Sequence, residues 1–309
     1  KLYIMKRTLI YFLILISFTT YGQNFKIESN FKTEKTYKFT VKRAKIESKK
    51  AIIKDLAQLT QMEAVFTQSG TLLKCVWKYG DTKVVGPKDI ISQIGPEHNE
   101  LFNIYKGIEI EVLFDPNNGG IELLNYNKMK ENIKNCLLKI YKNQMTKIDS
   151  ATMVIINQQL EPTYSSPEIL ISTYFPEIAL YFNLYSQNLI TGISIESEYF
   201  YPNPFGGEAF PIIGEIKIDS QTKKLLIIKN IEQAKQEEVN RIIKDMLEEM
   251  SKQGDSPIKK EEMPNFTVNS ESYYYYDIKK KIINKVRLEK KIEISGITQT
   301  EILEVNLIK

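Results

Sequence analysis

Histidine is nearly absent: His98, in the polar stretch GPEHNEL, is the only one. A Ser-His-Asp site needs an imidazole beside a nucleophile, and no serine or cysteine in a nucleophile context stands near it, so that chemistry is not expected. Cysteine is almost as scarce, with Cys75 and Cys136 alone. One histidine and two inward-facing cysteines leave a zinc ion without a fourth ligand. Glycine-rich phosphate loops and dinucleotide fingerprints are missing too, since NPFGGE has neither the glycine spacing nor the lysine. DPNNGG alternates Asp and Asn as calcium loops do. Counting from Asp115, however, puts Tyr126 at the twelfth position, where a glutamate is required, so the stretch reads as a turn. The expectation is no metal, no cofactor and no enzyme activity.

An excess of one charge is also lacking once the N-terminus is set aside. The stretch MKRTLIYFLILISFTTYGQN has a positive start at Lys6 and Arg7, an apolar core from Leu9 to Phe18, and small residues Thr20 and Gly22 before Gln23. This is the layout of a secretory signal peptide, with an apolar core too short for a comfortable membrane span. Residues 1–22 are therefore expected to be removed on export to the periplasm or beyond. Taking Lys1, Lys6 and Arg7 from the 42 basic residues leaves 39 against 38 acidic ones. Nucleic acid is not an expected partner at that balance. No other run is long and apolar enough for a transmembrane segment.

What is present is alternation. In KTYKFTVKR, Tyr37, Phe39 and Val41 alternate with Lys38, Thr40 and Lys42, which predicts a half-buried strand. In GTLLKCVWKYG the same rule puts Leu73, Cys75, Trp77 and Tyr79 on one face. Further on, strand, turn, strand and helix follow in IEIEVLFDPNNGGIELLNYNKMKENIKNCLLKIY, with an apolar helical stripe at Met129, Ile133, Cys136, Leu137 and Ile140. Both thiols thus point inward in a compartment that permits disulfides. A Cys75–Cys136 bridge would stabilise the fold by ~4 kcal/mol on the chain-entropy model. The sequence leaves that bridge and two separate buried thiols both open.

The strand–turn–strand–helix order recurs in GEIKIDSQTKKLLIIKNIEQAKQEEVNRIIKDMLEEM, where a strand is expected to end at Asp219 and a helix to follow Asn230. A third hairpin lies in SESYYYYDIKKKIINKVRLEKKIEISG. There Val286, Leu288, Ile292 and Ile294 face one side and Lys285, Arg287, Glu289 and Lys291 the other, as in an antiparallel sheet with one wet face. The four tyrosines Tyr273–Tyr276 then divide between the two faces, which reads as strand filling, with a stacking platform as the functional alternative.

Between the repeats, SSPEILISTYFPEIALYFNLY has Ser166 and Pro167 as a helix start and Pro176 as a kink. It is apolar nearly all round, so it is buried on several sides or covers an apolar cavity. The following loop places Tyr199, Phe200, Tyr201, Phe205 and Phe210 among prolines and glycines. Tyr174, Phe175, Tyr181, Phe182, Tyr199, Tyr201, Phe205 and Phe210 are the candidate lining of an apolar ligand site. Glu196, Glu198 and Glu208 are the carboxylates on which an envelope hydrolase would have to rely.

The cleavage region TTYGQN, the segment NPFGGEAFP and the repeated hairpins with Asp turns together resemble uncharacterised secreted proteins of Gram-negative bacteria. The resemblance implies an envelope or secreted location and assigns no catalytic residue. A sheet curved around apolar helices is also similar, as a fold analogy, to lipoprotein carriers of the periplasm. The expected fold is α+β: antiparallel sheet of ten or more strands, with helices near 128–145, 166–186 and 231–252 packed on one face. Its expected divisions are a signal peptide at 1–22 and two α+β halves at 23–160 and 161–309, separate or continuous. The expected function is non-enzymatic: an exported binding or envelope-associated protein holding a hydrophobic small molecule or an envelope protein. A carboxylate hydrolase and a purely structural β-protein are the alternatives.

Overall fold

The computed structural model describes residues 22–49, 52–87, 103–144, 160–201, 208–252, 266–294 and 297–308. Residues 1–21 of the expected leader, His98 and Phe205 lie outside them. Two short strands, β1 (Asn24–Lys26) and β7 (Asn188–Ile190), form a separate ribbon. The other eleven strands make one antiparallel sheet. In chain order they are β2 (Thr36–Lys49), β3 (Ile52–Ser69), β4 (Leu72–Val85), β5 (Glu109–Phe114), β6 (Ile121–Leu123), β8 (Ser194–Tyr201), β9 (Phe210–Gln221), β10 (Leu225–Ala234), β11 (Phe266–Asp277), β12 (Ile282–Ile294) and β13 (Ile297–Ile308). Their order across the sheet is β6-β5-β4-β3-β2-β13-β12-β11-β10-β9-β8. The two expected halves therefore share one sheet, joined where β2 runs beside β13 from Ser48↔Thr298 to Lys38↔Ile308.

The hairpins owe their turns to side-chain hydrogen bonds. Asp115 Oδ1 accepts from Asn117 N at 2.8 Å, and Gly119 N donates to Asp115 O at 2.8 Å. Gly119 has φ +75°, and a Cβ there would lie 2.3 Å from the Tyr185 carbonyl oxygen, so only glycine fits. Asp277 repeats the device, accepting from Lys279 N and Lys280 N. The second hairpin departs from expectation. Its strand runs on to Gln221, with Asp219 left over at a bulge, and Thr222 Oγ1 caps the turn by accepting from Leu225 N.

Among the described residues four α-helices accompany the sheet: α1 (Tyr126–Gln144), α2 (Pro167–Tyr174), α3 (Pro176–Phe182) and α4 (Gln236–Lys252). Ser166 caps α2 by accepting from Ile169 N, and Pro176 ends it and starts α3. Helix α4 begins five residues later than Asn230 suggested, because Ile231 extends the apolar strand and Asn230 stays inside β10 opposite Ser272. Ahead of α1, the side chain of Asn125 bonds to β5. It accepts from Glu111 N and donates to Glu109 O, which docks the helix start on the strand edge.

The core lies between α2–α3 and one face of the sheet. Phe31 stacks on Phe66 at 4.0 Å, Phe114 meets Phe182 at 4.6 Å, and Phe39 meets Trp77 at 4.7 Å between ring centroids. Tyr181 and Tyr185 secure α3 and the residues after it to a bulge in β12. The ladder skips Asn284 there, so Tyr181 donates to Ile283 O at 2.8 Å while Ile283 N donates to Tyr185 at 3.0 Å.

One charge is buried in this core. Glu177, 1 % exposed in the first turn of α3, accepts from Arg43 of β2 at 2.5 Å and from the Tyr79 hydroxyl of β4. Arg43 also donates to Tyr174 O at 3.1 Å. Burial lowers the pKa of Arg43, but the facing Glu177 outweighs it and holds the guanidinium charged, while burial and then Glu177 push Tyr79 well up. The clamp fixes the helix pair on the sheet with every partner of the carboxylate in place. A lone glutamate within an apolar helix was its only trace in the sequence.

Candidate functional site

Of the eight aromatic residues expected around one ligand, the seven that are described do not come together. Phe175, Tyr181 and Phe182 fill the main core, and Tyr174 is half-buried with its hydroxyl 2.6 Å from Thr163 Oγ1. Phe210 belongs to a second, smaller core with Val239, Ile242 and Ile243 of α4. Tyr199 and Tyr201 stand on β8 at the end of the sheet. Aromatic composition reports burial and ligand lining alike, so the sequence could not separate these places.

The cysteines are free thiols. Cys75 is buried in the aromatic core, paired across the sheet with Phe66 and Val112. Cys136 on α1 instead points to Ile104 O, at 3.5 Å. Burial raises the pKa of both. Cys136 lines a cavity of 320 Å³ between α1 and the segment before β5.

On the outer face, Glu271, Tyr273 and Tyr275 of β11 and Arg287, Glu289 and Lys291 of β12 line a groove of 560 Å³. The tyrosine run divides as the alternation requires. Tyr274 and Tyr276 are buried in the core, whereas Tyr273 and Tyr275 face outward under Lys229 and Lys285, 5.3 and 5.9 Å from the ring centroids. The groove's charges are matched among themselves: Lys229 with Glu271, and Arg287 and Lys291 both with Glu289. It is a solvated ion-pair lattice whose cations already occupy the tyrosine faces.

The end of the sheet at β8 differs from both cavities. Eight large hydrophobic residues are exposed among those described, and five of them, Ile193, Ile195, Phe200, Tyr201 and Ile213, lie on or beside β8. Phe200 is 67 % exposed. Along β8 the outer row is Ser194, Glu196, Glu198 and Phe200, and the inner row is Ile195, Ser197, Tyr199 and Tyr201. The strand is firmly held on its β9 side. Tyr199 crosses Gly214, where a Cβ would come within 3.1 Å of its ring, and hydrogen-bonds Glu232 of β10. Burial and that carboxylate raise its pKa. Glu232 also accepts from Ser270 of β11 at 2.9 Å, so a polar chain links β8, β10 and β11 across β9.

The candidate carboxylates sit on this end but do not converge in a cleft. Glu198 pairs with Lys235, and Glu208 with Arg241 at 2.8 Å. Neither they nor Glu196 line the two cavities. Ile193, Ile195 and Ile213 were not singled out from the sequence, although SIESEYFY carries the signal: an apolar–polar alternation with no lysine or proline.

No family model matches the chain, and no curated protein matches it. Among solved structures, a chain described as "lipid-protein interactions in lipovitellin" is similar at a TM-score of 0.44 and 9 % identity, over 91 % of this chain and 26 % of that one. This chain thus spans about a quarter of that one's length. The similarity assigns no ligand here.

Among the described residues, no helix is long and apolar enough to cross a membrane, which says nothing of strands.

Proposed function

We propose that this is an exported binding protein of the bacterial envelope, acting without chemistry of its own, whose partner docks on the rim formed by β8 and β9. The observation that carries this reading is the gathering of Ile193, Ile195, Phe200, Tyr201 and Ile213, all exposed, at one end of the sheet. Single exposed hydrophobics are ordinary, but five of the eight among the described residues at one end of the sheet, with Phe200 and Ile213 neighbours on its outer face, support a contact surface. Export is supported by the leader-like residues 1–22 and by the near-neutral remainder of the chain. A hydrolase reading has less support, because Glu198 and Glu208 are exposed and engaged by Lys235 and Arg241.

The test is an apolar reporter dye, anilinonaphthalene sulfonate, titrated into the native full chain and into a Phe200→Ser/Ile213→Ser double variant. The native chain should enhance the dye's fluorescence and the variant should lose most of that enhancement. Equal signals from both would remove the rim from consideration.

A further inference from the structure

We propose that β8 is a docking strand: it takes an extended segment of another protein, bearing lysine or arginine, as a twelfth strand of the sheet. The proposal rests on the rim reading and specifies its partner. One side of β8 is paired with β9 without a break from Ser194↔Lys217 to Tyr201↔Phe210. No strand among the described residues pairs with the other side, and the strand is exposed along its length. A free edge offers a row of backbone donors and acceptors, and proteins that must not use it blunt it with lysine, proline, bulges or brevity. SIESEYFY has none of these: eight residues, no lysine, no proline and no register shift against β9.

Charge narrows the choice of partner. On the outer row Ser194 bonds Glu215 and Glu198 pairs with Lys235, but Glu196 has no ion-pair partner among the described residues. An incoming strand that places a cation opposite Glu196 completes the row, since opposite charges across a strand pair attract and like charges repel. The inner row of Ile195, Ser197, Tyr199 and Tyr201 calls for apolar residues at the alternate positions. A second copy of this chain fails that requirement. The two antiparallel registers that overlap β8 on itself most fully set Glu198 against Glu198 or Glu196 against Glu198. A basic, alternating segment of a different protein meets both rows. The edge is also pre-organised, because Tyr199 over Gly214 and the Glu232–Ser270 bond hold β8 before anything arrives.

The experiment uses the full chain and short labelled peptides in fluorescence anisotropy. One peptide alternates lysine with valine and one alternates glutamate with valine. Two further lysine peptides are N-methylated along one edge or the other, which blocks pairing from that edge only. The lysine peptide should bind, and the glutamate peptide should bind about tenfold more weakly. One methylated form should keep its affinity and the other lose it. Glu196→Lys should invert the preference between lysine and glutamate. Equal binding of both methylated forms, indifference to charge, failure of every peptide, or self-association of the chain through β8 would each overturn strand addition. If those results come with dye binding that still depends on Phe200 and Ile213, the rim survives and only its mode of recognition falls.

Discussion

The sheet ends in two different ways. At one end β6 is only Ile121–Leu123, its Leu123 is buried, α2 packs against it and α1 follows almost at once. At the other end β8 runs for eight residues, exposes most of its side chains and leaves a full edge unpaired among the described residues. Brevity and a covering helix are standard protections for an edge, and β6 has both. Among the described residues, one terminus of the hydrogen-bond ladder is therefore protected and the other is open. An open edge that is also apolar invites aggregation unless it has a use, and the proposed docking at β8 would supply one.

The sharpest way to test the contrast is with one residue type at both ends. Phe182 is 1 % exposed in the aromatic core and Phe200 is 67 % exposed on the rim. Phe182→Ala should cost about 4 kcal/mol in denaturant unfolding, from lost transfer energy and the cavity left behind. Phe200→Ala should stay within about 0.5 kcal/mol. Similar losses at both sites would mean that the rim is packed core, and the comparison would fail.

A somewhat smaller effect is expected at the clamp that holds α3 on the sheet. Glu177→Ala strands the Tyr79 hydroxyl and leaves Arg43 without its partner, at a cost of about 3 kcal/mol. Glu198→Ala, which breaks the exposed pair with Lys235, should cost well under about 1 kcal/mol. Unfolding midpoints of the two variants measure this difference directly.

Alkali should act on the buried core as well. Burial raises the pKa of Tyr181, Tyr185 and Tyr274, and pushes Tyr105 and Tyr276 up to about 12. A tyrosine that keeps its proton longer when folded contributes stability in full below its unfolded pKa of about 10 and loses it as pH rises further. Tyrosinate absorbance from these rings should therefore appear together with unfolding. Ionisation of all tyrosines before any loss of structure would show that the core admits water.

Much of this was legible in the amino-acid order. Alternation in β2, β4 and β12, the Asp115 and Asp277 turns, and the break at Pro176 are local effects of side-chain size and backbone φ, so the sequence states them. The β2–β13 seam was not legible, because pairing between opposite ends of a chain leaves no local mark. Asn230 misled for a related reason: it suits a helix cap, but Ile231 and the register with Ser272 keep it in a strand. The candidate site was read least well. Phe175 and Phe182 look like Phe200 in composition, and only the pairing order reveals which of them meets solvent.

Residue-resolved amide hydrogen exchange over 194–201 in the free full-length chain tests the open edge most directly. The account predicts alternation along β8, with amides bonded to β9 protected and those pointing away exchanging quickly, while β10 and β11 are protected throughout. Uniform protection along β8 would mean that something already covers the edge, and uniform rapid exchange would mean that no preformed strand is there to receive a partner. Either result would contradict the account.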